Sequence, residues 1–261
     1  MILHVFKNRL VKFFWVLRNY RKLNTNLKYK STHYLGPVTY DTDSLTTSNN
    51  CDFMHEPKFA EAYNAALNTN PWGGFTLQWR TYIVCWLANH VKSLEGDFVE
   101  CGVNTGAYSI AVVKYIEFQK LQKTFYLFDT FNGLDINQIT ENEKMAGIEK
   151  YIGNYKDVYE EVKNTFKDYK VSVIKGLVPE TLIHCTSKQI CYLSIDMNVV
   201  EPEIAAFHYF WDKIVIGGVL ILDDYGFPPH INQKIAFDKL AVEYNFSILS
   251  LPTGQGIIFK K

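Results

Sequence analysis

The sequence lacks the features that mark several large classes of protein. Charged residues interrupt every apolar run in residues 1–22, so no stretch approaches the roughly 20 apolar residues of a membrane span. No small-residue cleavage site follows this region, which argues against a secretory signal. There is also no excess of charge, because 27 basic residues balance 27 acidic ones. We therefore expect neither a transmembrane protein nor one with a broad nucleic-acid surface.

Cysteine is scarce, and its spacing is wide. The number is odd, and no two cysteines lie at the short spacing of a zinc knuckle. We predict reduced, mostly buried thiols in a cytoplasmic protein, without a disulfide framework or a structural zinc ion. The five residues are Cys51, Cys85, Cys101, Cys185 and Cys191.

The N-terminal residues differ from the rest of the chain. Eight Lys or Arg residues and no acid precede Asp41, and Leu3, Phe6 and Leu10 recur at three- or four-residue steps, as in an amphipathic helix. We predict a basic arm and connector over residues 1–50 and one catalytic domain over 51–261. The arm has two interpretations: packing on the body or a second subunit, which favours a homo-oligomer, or peripheral contact with an anionic membrane surface.

Strands and helices alternate from Gly96 onward. This alternation predicts parallel strands joined by helical crossovers. The turn Pro252-Thr253-Gly254-Gln255 separates the last two strands at hairpin length. We predict a doubly wound α/β fold of class I methyltransferase type, Rossmann-like, with a mostly parallel seven-stranded sheet, an antiparallel C-terminal hairpin strand and additional N-terminal helices. The predicted strands span 97–101, 124–128, 171–174, 190–195, 219–222, 246–251 and 256–259, and the predicted helices span 57–68, 77–92, 107–118, 158–166, 203–212 and 232–243.

A glycine-containing turn follows the first predicted strand of this alternating region. Glycines let the backbone approach a ligand closely, and the following helix offers free N–H groups to a carboxylate. Asp129 ends the next strand, where an acid can accept hydrogen bonds from both ribose hydroxyls. A dinucleotide enzyme would use the same device, so these residues leave the cofactor open. The candidate cofactor-binding residues are Glu100, Gly102, Asn104, Thr105, Gly106, Ser109, Asp129 and Gly176.

Three acids end two later strands. Asp196 follows one strand, and Asp223 and Asp224 follow the next, so their carboxylates should converge at one edge of the sheet. A hard cation such as Mg²⁺ relieves the repulsion between such carboxylates. The alternative is a set of helix caps and salt bridges with lysines. A metal ion beside a methyl donor would lower the pKa of an acceptor hydroxyl and orient its oxygen.

Five stretches in order resemble the macrocin/mycinamicin O-methyltransferase family. They are GDFVECGVNTG (96–106), FYLFDTFNGL (125–134), YLSIDMNVVEPEIAA (192–206), GGVLILDDYG (217–226) and SLPTGQG (250–256). The resemblance runs from about residue 52 to the C-terminus and leaves the arm outside. It implies a class I fold, S-adenosyl-L-methionine as the donor, Mg²⁺, and a sugar hydroxyl of a glycan precursor or glycosylated natural product as the acceptor.

The resemblance also implies roles for individual residues. Gly102 and Gly106 would line the amino-acid end of the donor, and Asp129 would bind its ribose. The implied metal ligands are Asp196, Asp223 and Asp224.

The chain departs from the family pattern near the acceptor. The family often has Asp-x-Asp-Leu-Tyr-Glu where this chain has Asp196-Met197-Asn198-Val199-Val200-Glu201. Related catechol-type enzymes have a lysine base at the position of Val199. We assign His230 and Asp196 as candidate catalytic residues, with His230 as the base because imidazole has a suitable pKa, and Tyr225 as a further candidate.

Residues 132–154 are too long for a simple connection. We predict a mobile lid over the acceptor pocket, with Tyr151 and Tyr155 available to stack on a sugar. Three alternatives stay open: a catechol-type or phenolic O-methyltransferase, a nicotinamide-dependent oxidoreductase and a non-catalytic scaffold. The oxidoreductase would need a Gly-x-Gly-x-x-Gly fingerprint, which residues 102–106 lack, and the scaffold would have lost its metal ligands.

Overall fold

An antiparallel hairpin, β1 (Tyr40–Thr42) and β2 (Leu45–Thr47), lies near the start of the described structure. The computed structural model describes residues 38–71 and 76–261, so the predicted amphipathic arm lies outside the described residues. A compact unit spans Thr39–Lys261 and includes this hairpin. The side chain of Tyr40 in the hairpin is buried and packs in the main core.

A seven-stranded sheet forms the centre of this unit. Its strand order is β5-β4-β3-β6-β7-β9-β8. The first five of these strands pair in parallel, and β9 pairs antiparallel with both β7 and β8. This arrangement confirms the predicted sheet and its antiparallel C-terminal strand. The strands are β3 (Asp97–Cys101), β4 (Phe125–Asp129), β5 (Val171–Lys175), β6 (Ile190–Ile195), β7 (Ile214–Leu222), β8 (Leu249–Ser250) and β9 (Gly256–Phe259).

Seven α-helices accompany the strands in the described part of the chain. They are α1 (Pro57–Leu67), α2 (Gln78–Val91), α3 (Ala107–Tyr115), α4 (Glu141–Met145), α5 (Tyr159–Phe166), α6 (Val200–Phe210) and α7 (Ile231–Glu243). Short 3-10 helices cover Asp52–His55, Phe118–Lys120, Ile136–Gln138, Ile148–Tyr151, Glu180–His184, Trp211–Lys213 and Pro228–His230. Local sequence accounts for several of the starts: Pro57 occupies the first turn of α1, where its missing N–H costs nothing, and Thr140 caps α4.

Two hydrophobic layers cover the two faces of the sheet. Alternate residues of β3 supply both layers: Phe98 packs in the cluster with α1, α2 and α3, and Val99 packs in the cluster with α6 and α7. This two-residue period is the geometry of an extended strand. Strand β6 is buried at every position, as expected for a central strand covered on both faces.

Some predicted boundaries differ from the observed ones. Strand β7 begins at Ile214 rather than 219. Gly217, with a φ of +80°, causes a local irregularity inside the strand and does not end it. Helix α6 begins at Val200 rather than 203, and the strand predicted over 246–251 is confined to two residues. None of these differences changes the order of the elements.

The sequence also predicted that the cysteines are reduced and mostly buried. All five cysteines are free and buried, as expected for small apolar side chains. Among the described residues, no helix is long and apolar enough to cross a membrane.

Candidate active site

A cavity of about 330 Å³ opens at the carboxyl ends of the parallel strands. Strand β3 lies between β4 and β6. The chain first adds β4 and β5 on one side of β3 and then crosses over to add β6 and β7 on the other side, so the strand order reverses at β3. Open α/β sheets bind their ligands at such a switch point. Of the predicted site residues, those that line this cavity are Glu100, Gly102, Asn104, Thr105, Asp129, Gly176, Asp196, Asp223 and Asp224. Gly106, Ser109 and His230 do not line it.

Gly102 is required by the close approach of two strand ends. Its φ is +88°, and a Cβ atom at this position would lie 1.8 Å from the carbonyl oxygen of Asp196. Gly106, also at positive φ, packs instead against the ring of Phe166, where a Cβ atom would lie 2.7 Å from Cε2. The first glycine therefore joins the two halves of the site, and the second seats α3 on α5.

Asp129 holds the turn after β3 in place. Its Oδ2 accepts hydrogen bonds from the backbone N–H groups of Val103 (2.5 Å) and Asn104 (2.8 Å). Its Oδ1 accepts another from the N–H of Phe131 at 2.5 Å. The residue predicted to bind ribose thus also orders the backbone around the place where the donor would lie.

Glu100 is a buried acid directly behind the turn. Its carboxylate accepts a hydrogen bond from the hydroxyl of Ser109, which explains why Ser109 contributes behind the cavity wall rather than within it. Burial raises the pKa of Glu100 to about 8, and the charges of Asp223 and Asp129 add to the increase. Glu100 therefore favours its protonated form near neutral pH.

The three predicted metal ligands converge. Ile195 of β6 pairs with Leu222 of β7, so Asp196 and Asp223 leave the sheet side by side. Asp196 is partly buried, and its pKa is raised well above the usual range by desolvation and by repulsion from Asp223 and Asp224. No lysine, arginine or histidine within residues 38–71 and 76–261 forms an ion pair with Asp196.

Arg80 of α2 was not identified as a site residue from the sequence. It lies among the carboxylates of Asp43, Asp196, Asp223 and Asp224, which we call the acidic cluster. Its Nη1 lies 2.7 Å from Oδ2 of Asp223 and 3.3 Å from Oδ1 of Asp224, and its Nε lies 2.8 Å from Oδ2 of Asp43. Arg80 stands four residues before Val84 on the buried face of α2. A basic residue in the apolar stripe of a helix was the signal available, since a buried cation needs a carboxylate partner.

Gln255 approaches the same cluster from the C-terminal hairpin. Its Nε2 donates to Oδ1 of Asp223 at 2.9 Å, and its own Oε1 accepts from Thr253 at 3.0 Å. Both oxygens of Asp223 therefore have protein donors. Within the described ranges, no group of three acidic, histidine or cysteine side chains has the spacing needed to hold one metal ion.

The two candidate bases, His230 and Tyr225, do not line the cavity. His230 is buried beside Asp224, with its Nδ1 3.0 Å from Nε2 of Gln233 and its Nε2 3.6 Å from Oδ2 of Asp224. Tyr225 donates its hydroxyl to Oδ1 of Asp238 at 2.6 Å. In this arrangement His230 lies beside Asp224, which lines the cavity, and Tyr225 is engaged by Asp238.

Residues 132–154, named here the roof, fold into two 3-10 helices and α4. Leu134 and Gln138 of the roof line the cavity. Tyr155, which follows the roof, also lines it and packs against Gly133. Tyr151 instead packs beside Ile148 in a small apolar cluster of the roof. Of the two predicted stacking residues, only Tyr155 is in place to meet an acceptor.

Comparison with known proteins identifies the class. The sheet order, the glycine-containing turn and the acid at the end of β4 are those of a class I S-adenosylmethionine-dependent methyltransferase fold, and the family match identifies an O-methyltransferase. The model of the macrocin O-methyltransferase (TylF) family matches residues 83–242, and the chain belongs to this family. A comparison with curated protein sequences finds no match.

Solved structures of O-methyltransferases share the fold. The O-methyltransferase NovP is 20% identical with a TM-score of 0.60, over 70% of this chain and 79% of NovP. CalS11, a calicheamicin methyltransferase, is 14% identical with a TM-score of 0.58, over 86% of this chain and 98% of CalS11. An O-methyltransferase from Bacillus cereus, solved in complex with SAH, is 14% identical with a TM-score of 0.52, over 78% of this chain and 91% of its own.

Proposed function

We propose that this enzyme transfers the methyl group of S-adenosylmethionine to a sugar hydroxyl, with a hard divalent cation held at the acidic cluster. The observation that carries the proposal is that Asp196, Asp223 and Asp224 line the same cavity as the glycine-containing turn after β3, where the donor would bind. Family membership supports a sugar acceptor, as does the fold shared with a structure described as a TDP-rhamnose 3'-O-methyltransferase. That neighbour is 14% identical, with a TM-score of 0.51, over 82% of this chain and 96% of its own.

The charges of the cluster support a cation there. Arg80 forms ion pairs with Asp43, Asp223 and Asp224, and Asp196 adds a fourth carboxylate that has no ion-pair partner among the described residues. The available donors are oxygen atoms, which suit Mg²⁺, Mn²⁺ or Ca²⁺. When bound, such a cation would lower the pKa of an acceptor hydroxyl and orient its oxygen toward the donor. Asp196 would be the leading ligand, because it has no cationic partner in the described structure.

The surroundings of Val199 favour a sugar over a catechol. Catechol-type enzymes have a lysine base at this position, whereas Val199 is 2% exposed and packs beneath the roof with Ile139 and Ile148. The lysine base of catechol-type enzymes is replaced by Val199, and the apolar side chains of the roof pack against this valine. The acceptor hydroxyl would give its proton to Asp196 or to a water molecule, and His230 would orient the carboxylate of Asp224.

The first experiment is isothermal titration of the protein with S-adenosylhomocysteine, with and without Mg²⁺, followed by a methylation screen of sugar diols and catechols. We expect the nucleoside to bind, Mg²⁺ to bind the wild type, and methylation to occur with sugars. Asp196→Asn should abolish Mg²⁺ binding and methyl transfer, since it removes the leading ligand. Asp168→Asn, at an exposed carboxylate distant from the cavity, is the matched control and should behave as the wild type.

Each part of the proposal can fail separately. No binding of S-adenosylhomocysteine would refute the donor assignment. Donor binding with full activity in a metal chelator would refute the cation, and methylation of catechols alone would refute the sugar acceptor.

A further inference from the structure

Asp196 lies at the start of a short loop whose backbone is held by two buried carboxylates. The loop comprises residues 196–199, named here the Asp196 loop, and leads directly into α6. Asn198 has a φ of +65°, so the loop turns sharply and its N–H groups do not follow a regular helix or strand pattern. Three of these groups, counting the first residue of α6, donate to glutamate side chains.

Glu203 holds the loop from within α6. Its Oε1 accepts the N–H groups of Met197 at 3.1 Å and Asn198 at 3.0 Å, and the residue is 4% exposed. A buried carboxylate that accepts two backbone N–H groups fixes the turn that follows Asp196. This contact is local, because donor and acceptor lie within six residues of each other.

Glu143 holds the same backbone from the roof. Its Oε1 accepts the N–H of Val200 at 2.7 Å, across 57 positions of sequence. Its Oε2 accepts both the N–H of Thr140 (2.8 Å) and the hydroxyl of Thr140 (2.7 Å), which closes the N-terminus of α4. Glu143 is 1% exposed, so both of its oxygens are engaged away from solvent.

An apolar contact reinforces this link. Val199 of the Asp196 loop packs with Ile139 and Ile148 of the roof in one small cluster, partly covered by Tyr151 and Ile152. A residue of the loop is therefore part of the core of the roof. Displacing the roof would uncover Val199 and leave the partly buried N–H of Val200 without its acceptor, which costs free energy.

We propose that Glu143 is a positioning residue that joins the roof to the Asp196 loop, so that the cover of the acceptor space and the carboxylate of Asp196 are ordered together. The role of the loop in acceptor binding rests on the proposed function. The coupling itself concerns only the contacts of Glu143, Val199 and Val200.

Amide hydrogen exchange of the protein alone tests the coupling. Glu143→Ala should raise exchange about tenfold or more in both the roof and residues 197–200, since a bond to a charged acceptor is lost. Glu143→Gln keeps one carbonyl oxygen and should restore part of the protection of residues 197–200. Val199→Ala changes the loop side and should raise exchange in the roof. The matched control is Glu141→Gln, on the same helix with a side chain that is 83% exposed, which should leave both segments unchanged.

The outcomes separate coupling from a local structural role. If Glu143→Ala loosens the roof alone, or Glu143→Gln behaves as Glu143→Ala, Glu143 only caps α4 and the proposal is wrong. Titration of the two Glu143 variants with S-adenosylhomocysteine should give dissociation constants within about twofold of wild type, because Glu143 does not line the cavity. Failure of the wild type to bind it would refute the proposed donor and leave the exchange result intact.

Discussion

Arg80 is the residue whose removal should change the protein most. Its guanidinium is buried and contacts three carboxylates, two of them through Nη1 and one through Nε. Arg80→Met keeps much of the apolar stem but leaves Asp43, Asp223 and Asp224 without their cation. Breaking a buried ion pair from one side costs about 3–5 kcal/mol, because the remaining charge stays buried and unpaired. For a domain of this size that loss corresponds to a fall in Tm of roughly 6–20 °C.

Urea unfolding followed by circular dichroism measures this loss directly. The second variant, Asp223→Asn in the Arg80→Met background, should recover part of the stability because it removes one of the unpaired charges. The control is Lys163→Met, which breaks the exposed pair with Glu160 and should cost less than about 1 kcal/mol. A cost for Arg80→Met as small as that of the control would refute the account of the acidic cluster given above.

Three further predictions concern single residues of the site. Gly102→Ala should abolish binding of S-adenosylhomocysteine in a titration, because its Cβ would lie 1.8 Å from the carbonyl oxygen of Asp196; tight binding would show that the two strand ends can separate. Burial raises the pKa of Glu100 from 4.5 to about 8, so the folded chain retains a proton that the unfolded chain releases. The free energy of unfolding should therefore fall as the pH rises between these values, and the fall should be smaller in Glu100→Gln. Equal free energies of unfolding of the wild type at both ends of this pH window, measured with urea, would contradict this. His230→Ala should weaken Mn²⁺ binding about 10- to 100-fold in paramagnetic resonance titrations, because it removes the contact that orients Asp224, whereas unchanged Mn²⁺ affinity with lost activity would favour His230 as the base.

The fold was largely predictable from local sequence. Strands β3, β6 and β9 have the predicted limits, because short apolar runs bounded by glycine or acid residues mark their ends. The antiparallel position of β9 followed from a turn of four residues before it. Strand β7 was predicted too short because Gly217 and Gly218 are typical of turns, whereas both glycines form backbone hydrogen bonds with Lys260 and Ile214 pairs with Ile190, so the segment stays in the sheet.

The contents of the site were predictable only in part. A residue at the end of a parallel strand must lie at the carboxyl edge of the sheet, and this rule placed Gly102, Asp129 and Asp196 at one cavity. The rule gives no information about side chains on loops and helices. His230 was assigned from the chemistry of imidazole, but its direction depends on Gln233 and on the packing of α7.

The sequence by itself therefore determined the order of the elements, the edge of the sheet that carries the chemistry and the acids that meet there. These properties depend on periodicity and strand ends, which are local in the chain. The tertiary structure alone decided which partners those acids have: Arg80 reaches Asp223 across 143 positions, and Glu143 reaches Val200 across 57. Such pairs form because burial leaves no water to satisfy a charge or a backbone N–H, and the acceptor is whichever group the packing of helices and loops brings within reach.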